Sequence, residues 1–490
     1  MDTATPGNSI TLYSVSDRTF LAHFMLPHQH HTSVQRDPPG PNPLPIIGSI
    51  FRLNPKQNIL FNFIDLWREF GDLCHVKLGP LHLYIVVKPE HVHHVLVRNP
   101  DNYIKGNGYN GFRLLVGQGL VTSDGDLWRQ QRRLIQPSFT PRSTANFVDL
   151  MVAAIQATID RWEGTIATEQ PLHIDDEMAR LTMSIISQTI FGVDLGAESG
   201  AVSQAFHEAF AFVTARTMSA FALPLAWPLP QHRRFQRNRR MIDAFVQAQI
   251  SKGRQSDSQD TLLALLLQAT DEESGERMSD EQVRDEVVTM FLAGFETTAR
   301  SLTWGWYLLD QHPAVVQRLE AEVDAAIGTR SPTLADLAAL PYTRMVVDEI
   351  LRHYPPAGML ARQVVADDQI DGYHIRGNGI VMLLPFMTHR YPGVWADPEA
   401  FIPERFHPDH IGSRPKSAYI PFSGGARICL GNHFALTEMV FTFAMIIARY
   451  RLQRPSTDPI GYGFHGSICP TAPLWMTAQR REQSSGGRVV

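Results

Sequence analysis

The chain of 490 residues is 44% hydrophobic and 19% charged, as expected of a globular protein with a large core, and its formal net charge is only −5. Lysines and arginines are scattered among the acids, which excludes a nucleic-acid footprint. Cys74, Cys429 and Cys469 form an odd set without CxxC or Cys/His spacing, so a disulfide framework and a zinc site are poor readings and a reducing cytoplasm is the better setting. Asp2, Asp17 and Arg18 interrupt the opening segment, so no signal peptide is expected, and no apolar run reaches the ~18–20 residues of a membrane span.

In chain order, residues 1–36 are polar and pattern-free; a flexible leader is the better reading there, ahead of a metal-binding tail built on His28, His30 and His31. Asp37-Pro38-Pro39-Gly40-Pro41 makes a stiff, extended entry. Alternation and β-branched residues predict strands over Leu73–Leu78 and Leu81–Val87. Helical spacing of apolar residues then predicts helices over Thr144–Arg161, Asp175–Ile190, Ser203–Met218, Arg234–Ile250, Asp280–Leu309 and Ala314–Ile327. The stretch Thr217 to Gln231 carries Pro224, Pro228 and Pro230 and cannot be a regular helix. A strand over Ile380–Pro385 and an apolar helix over Asn432–Ala448 complete the pattern. Without an internal repeat or linker, residues 37–490 read as a single domain, mainly α with small β-sheets.

The chemistry concentrates in Phe422-Ser-Gly-Gly-Ala-Arg-Ile-Cys-Leu-Gly431. A lone cysteine is most often a small buried hydrophobe. Here Gly424 and Gly425 allow a tight loop with backbone N–H groups turned inward, where they tune an iron–sulfur bond. Cys429 precedes a strong helix pattern, and a helix N-terminus lowers a thiol's pKa. Arg427 sets a fixed cation two residues away, suited to a haem propionate, and Phe422 can shield the sulfur.

This segment resembles the haem-binding motif Phe-x-x-Gly-x-Arg-x-Cys-x-Gly of the cytochrome P-450 superfamily at every fixed position, and the likeness runs from about Pro38 to the end. The resemblance implies the cytochrome P-450 fold, a triangular helical domain with a long central helix over haem b (iron-protoporphyrin IX), and Cys429 as the iron ligand. Glu349-Ile-Leu-Arg352 looks like the family's Glu-x-x-Arg pair, one helical turn apart, with Arg405 of Pro403-Glu-Arg-Phe406 as its partner in a structural brace. Ala293-Gly-Phe-Glu-Thr-Thr298 resembles the oxygen-activation motif. By that likeness Gly294 makes room over the iron, Thr297 positions water and Glu296 relays protons. Trp128 and Arg132 match the Trp-x-x-x-Arg whose side chains reach the propionates, and Arg362 and Arg427 match further propionate-binding arginines.

The same resemblance places Tyr109, Phe112, Leu115, Phe291, Ala293, residues 357–360 and residues 464–467 around an apolar substrate pocket, with a mobile lid over residues 221–230. It implies a monooxygenase acting on a C–H bond or double bond of a lipophilic small molecule, a fatty acid, terpenoid or similar. Electrons would come from a separate ferredoxin or flavodoxin with its NAD(P)H reductase, docking near Arg129 and Arg133, and the protein would be a cytoplasmic monomer without a membrane span. The alternatives are a haem-thiolate isomerase, dehydratase or peroxygenase and, from another class, a non-catalytic haem sensor; the intact Glu296-Thr297 pair argues against the first.

Overall fold

The longest helix organises the molecule, and its ends are written in local sequence. Ser279 and Gln282 close a reciprocal capping box, Asp280 and Glu281 favour the positive end of the helix dipole, and Pro313 lies just beyond the last turn. The computed structural model describes residues 36–481, apart from 55–56, 197–199, 219–222, 256–259, 272 and 274 and the side chain of Met218. The leader expected over residues 1–36 therefore lies, but for Arg36, outside the described residues; from Asp37 the chain builds one compact unit.

Its principal helices are α1 (Ile59–Phe70), α2 (Asn110–Val116), α3 (Gly125–Ile135), α4 (Val148–Ala167), α5 (Ile174–Phe191), α6 (Ala201–Met218), α7 (Pro230–Arg254), α8 (Asp280–Gln311), α9 (Pro313–Ala326), α10 (Pro341–His353) and α11 (Asn432–Ile447). The expected helix over Thr144–Arg161 is corrected. A short helix capped by Thr140 ends at Ala145, Phe147 leaves helical geometry, and α4 starts afresh at Val148.

One sheet has the order β1-β2-β5-β4-β3, with β1 (Leu73–Leu78), β2 (Leu81–Val86), β3 (Tyr103–Ile104), β4 (Leu360–Val364) and β5 (Ile380–Leu383). β2 and β5 run parallel and the other neighbours antiparallel. The register Cys74↔Ile85 turns Cys74 into the core. A hairpin of β6 (Tyr462–Phe464) and β7 (Ile468–Pro470) reaches α1, where the Asn58 side chain bonds both backbone groups of Phe464.

Two apolar cores meet along α8. Val283, Val287, Val288, Phe291, Leu292 and Phe295 pack with α5, α6 and α7, whereas Ala299, Leu302, Trp304 and Trp306 pack with α10 and α11. The polar residues Glu296, Thr297 and Thr298 fall at the seam between the cores. Glu296 and Thr298 are buried there, while Ala293 and Thr297 leave one face of the helix open.

Candidate functional site

The Cys429 loop is held by contacts that only glycine permits. Gly425 has φ of 62°, and a Cβ there would stand 1.9 Å from the carbonyl oxygen of Leu96. One 3₁₀ turn, Gly425–Arg427, then lets the Cys429 N–H donate to the Phe422 carbonyl at 2.9 Å. Dense surroundings raise the Cys429 pKa, against the Gly431 N–H and the Arg132 charge, which favour thiolate. All three cysteines are free. Cys429 alone is exposed, while burial pushes the Cys74 thiol up to about 12 and also raises that of Cys469. The only thiol open to a ligand therefore already has a cation and an N–H donor aimed at it.

Beside it lies a group with too much positive charge. Arg132 donates to the Ile428 carbonyl at 3.0 Å, and Trp128 lies under the Arg427 guanidinium at 3.8 Å. Arg427 donates to the Ser123 carbonyl and to Asp124 Oδ1 at 2.7 Å. Arg362, only 3% exposed, sits on β4, and the Lys105 ammonium donates to the Tyr109 hydroxyl at 3.2 Å. Burial, reinforced by Arg362 and Arg427, depresses Lys105 to about 8; burial, and repulsion from Arg362, depress Arg427 to about 10. Burial alone would raise the Tyr109 phenol, yet Lys105 and Arg362 bring it below its usual value. Among the described residues, Asp124 is the carboxylate paired within this group. Buried cations in excess are costly unless an anion joins them. A dianionic cofactor with a metal near Cys429 fits this donor set.

On α8, Ala293 and Thr297 are exposed while Phe291, Leu292, Phe295, Glu296 and Thr298 are buried. The Thr297 hydroxyl donates to the Ala293 carbonyl at 2.7 Å, leaving its oxygen free to accept. Glu296, about 100° further round the helix, receives Arg300 Nε at 2.9 Å and the Ser467 hydroxyl at 3.2 Å. Arg300 also reaches Asp175 at 3.5 Å. Glu296 and Arg300 line a cavity of about 620 Å³ between α1, α6, α8 and the β6–β7 hairpin, together with Phe210, Thr214 and Phe464.

A Cβ on Gly294 would meet Ile186 Cδ1 at 2.7 Å, so α8 also packs closely on α5 there. Other expectations are corrected. Phe291 and Leu115 are fully buried: Phe291 packs on Phe206, with centroids 4.2 Å apart, and both residues belong to the core rather than to a pocket wall. Tyr109 joins the cation group instead of an apolar lining. Arg129 is paired with Asp126 and Asp101, and Arg133 with Asp271 and Glu273, so neither offers a free basic docking face. Of the expected lid, Phe221 and Ala222 lie outside the described residues; Leu223 and Trp227 are exposed.

Sequence reasoning missed Lys105 and Asp124. Asp124 stands at the N-cap of α3, yet its carboxylate makes no cap bond and instead accepts the N–H groups of Lys105 and Gly106, tying that loop to Arg427. Away from the thiol, Glu349 and Arg352 are fully buried and bonded at 2.7 and 2.9 Å. Arg352 also donates to the carbonyls of His389, Pro398 and Ala400, and Arg405 approaches Glu349 at 3.5 Å.

The family model for cytochrome P-450 matches residues 38–471. Cyclooctatin synthase of Streptomyces melanosporofaciens is 32% identical, over 84% of this chain and 89% of that protein. Cyclooctat-9-en-7-ol 5-monooxygenase of the same organism is 34% identical over the same shares of the two chains. Among solved structures, the haem domain of cytochrome P450DA aligns with a TM-score of 0.84 at 28% identity, covering 91% of this chain and 98% of that one. The chain belongs to the cytochrome P-450 family of haem monooxygenases. No described helix is long and apolar enough to cross a membrane.

Proposed function

We propose that the protein inserts one oxygen atom from O₂ into a lipophilic small molecule of the terpenoid kind, at a haem held by Cys429, with electrons from a separate ferredoxin- or flavodoxin-type partner. The observation that carries this reading is the single exposed thiol beside an excess of buried and half-buried cations. The names of the similar Streptomyces proteins favour a terpenoid over a fatty acid.

The haem supplies the iron at which O₂ is reduced and activated. The chain's own residues divide the remaining work. Arg132, Arg362 and Arg427 neutralise the haem carboxylates, and Trp128 holds the Arg427 plane. The Gly431 N–H and the Arg132 charge favour the thiolate form of Cys429, offsetting part of the cost of its dense surroundings. Thr297 faces the open side of α8 and accepts from a water there, fixing where a proton is delivered. Glu296, anchored by Arg300 and Ser467, holds a carboxylate between that face and the cavity.

The test is the reduced carbon monoxide difference spectrum of purified holoprotein. The wild type is expected to show the far-red Soret band of thiolate ligation. Cys429→Ser is expected to abolish it, while Cys74→Ser and Cys469→Ser retain it. Loss of the band in Cys74→Ser or Cys469→Ser, with Cys429→Ser unaffected, overturns the assignment.

A further inference from the structure

The cavity beside Glu296 joins an apolar wall to a group of polar side chains. Ile59, Phe210 and Phe464 line it together with Glu296, Arg300 and His207. The hydrogen bonds of the polar group are incomplete. Arg300 donates from Nε to Glu296 at 2.9 Å and from Nη1 to Asp175 at 3.5 Å, while its Nη2 has no partner among the described residues. Glu296 Oε1 accepts from both Arg300 and Ser467, and no described residue donates to Oε2. The His207 ring stands edge-on to Phe295, with centroids 5.2 Å apart, and among the described residues nothing hydrogen-bonds its nitrogens.

Thr214, in the wall of the same cavity, points the same way. Thr217, three residues further along α6, turns its hydroxyl back to the Val213 carbonyl at 2.7 Å, the usual resort of a threonine inside a helix. Thr214 does not. It is 4% exposed, and its buried hydroxyl has no partner among the described residues. The tip of the β6–β7 hairpin holds it in place, since a Cβ on Gly466 would come within 2.6 Å of Thr214 Cγ2. A buried hydroxyl without a partner costs stability unless a ligand supplies the bond.

We infer that these side chains recognise a hydroxyl group already present on the substrate, so that the protein takes a terpenoid alcohol rather than the parent hydrocarbon. A hydroxyl both donates and accepts, and the cavity offers both. Arg300 Nη2 is a donor, Glu296 Oε2 and a His207 nitrogen are acceptors, and Thr214 serves as either. Charge decides against a carboxylic acid. Arg300 stands between two carboxylates, Glu296 and Asp175, so these three side chains carry a net negative charge. Burial holds the His207 imidazole below its usual pKa, although Glu296 and Asp176 pull the other way, so it adds no cation at neutral pH. A further anion would meet repulsion. A hydrocarbon would strip water from Arg300, Glu296 and His207 and return no bond. The reaction that supplies this substrate must therefore be one that installs a hydroxyl group. The role as a substrate site rests on the monooxygenase reading; the preference for a hydroxyl belongs to the cavity itself.

The experiment is isothermal titration calorimetry of the full-length holoprotein with three probes of one skeleton: geranylgeraniol, its methyl ether and geranylgeranoic acid. The alcohol is expected to bind about tenfold more tightly than the ether, the worth of one hydrogen bond, and more tightly than the acid. His207→Phe and Arg300→Met are each expected to narrow the alcohol-to-ether ratio by about threefold, and together to remove it. Thr214→Val is expected to weaken the alcohol alone, while the ligand-free protein melts no lower than the wild type. Equal affinity for alcohol and ether overturns the proposal, and tightest binding of the acid overturns it in favour of a carboxylate site. An unchanged ratio in His207→Phe and Arg300→Met, with less product formed per NADPH, overturns it by assigning both residues to proton delivery. A wild type without the thiolate-type carbon monoxide band fails the functional assignment instead, and calorimetry still reads the hydroxyl preference. Should Arg300→Met fail to fold, His207→Phe and Thr214→Val still decide.

Discussion

Two arginine-centred groups in this molecule obey the same electrostatics and end in opposite states. Around Arg352 every charge is answered: Glu349 chelates it, three backbone carbonyls take its other N–H groups, and Arg405 and His353 flank the carboxylate. Burial would raise the Glu349 pKa, but Arg352 and His353 outweigh it and hold the carboxyl below its usual range. Around Trp128, by contrast, Arg427 alone among Lys105, Arg132, Arg362 and Arg427 is paired with a described carboxylate, Asp124, and burial and mutual repulsion depress Lys105 and Arg427. A closed network stabilises a fold, and an open one waits for a ligand of opposite charge. The first group therefore reads as a brace of the fold, and the second carries the haem-binding role proposed above.

Breaking the closed group should cost most. Glu349→Ala leaves Arg352 buried without its counter-ion, at about 3–5 kcal/mol, a large share of a total stability of ~5–15 kcal/mol. Little soluble holoprotein is expected, with an early thermal transition for whatever forms. A stable, fully haem-loaded variant with selectively lost turnover would move Glu349 into the reaction.

Breaking the open group should act on the cofactor instead. On the proposed reading, Arg427→Ala would remove one charge-assisted partner of a haem carboxylate, a loss of about 1.5–3 kcal/mol. Faster transfer of haem to an apo-acceptor protein is expected, while the far-ultraviolet helical signal stays at the wild-type level. Equal haem retention in variant and wild type would show that the cation excess serves some other anion.

Thr297→Ala probes the seam between the cores. It should leave haem binding intact yet divert electrons to peroxide, lowering product formed per NADPH by about 100-fold, the low end for a lost proton-transfer group. Unchanged coupling, measured as product against NADPH consumed, would leave this hydroxyl a packing group.

The smallest effect near pH 5 is expected of Glu286→Gln, and its growth with pH sharpens the contrast between paired and lone buried carboxylates. Burial, with Asp285 nearby, raises the Glu286 pKa to about 8, although its carboxyl accepts the Leu120 N–H at 3.0 Å. The folded state thus keeps a proton that the unfolded state has lost between the ordinary carboxyl value of 4.5 and about 8. Wild-type stability should fall as pH rises through that window. Glutamine, neutral at every pH, should match the wild type near pH 5 and flatten the decline. Parallel melting curves for both proteins from pH 5 to 9 would show Glu286 to be ionised throughout.

Local sequence determined a large part of this protein. Apolar periodicity placed α5, α6, α8, α9 and α11 within two residues of their observed ends, because caps and prolines lie next to the residues they terminate. The Cys429 loop was legible for the same reason: its glycines, arginine and thiol act across a few bonds. Tertiary structure alone decided the rest. Asp124 pins Lys105 and Arg427 from far along the chain, Gly294 is required by Ile186 on another helix, and Phe291 turns into a core that periodicity cannot tell from a pocket wall. Whether Arg133 is a free cation depends on Asp271 and Glu273, more than a hundred residues away. Spacing along a chain sets which way side chains point. Burial and counter-charge are set by neighbours that the fold supplies, and they decide which arginine braces, which one binds and which one faces water.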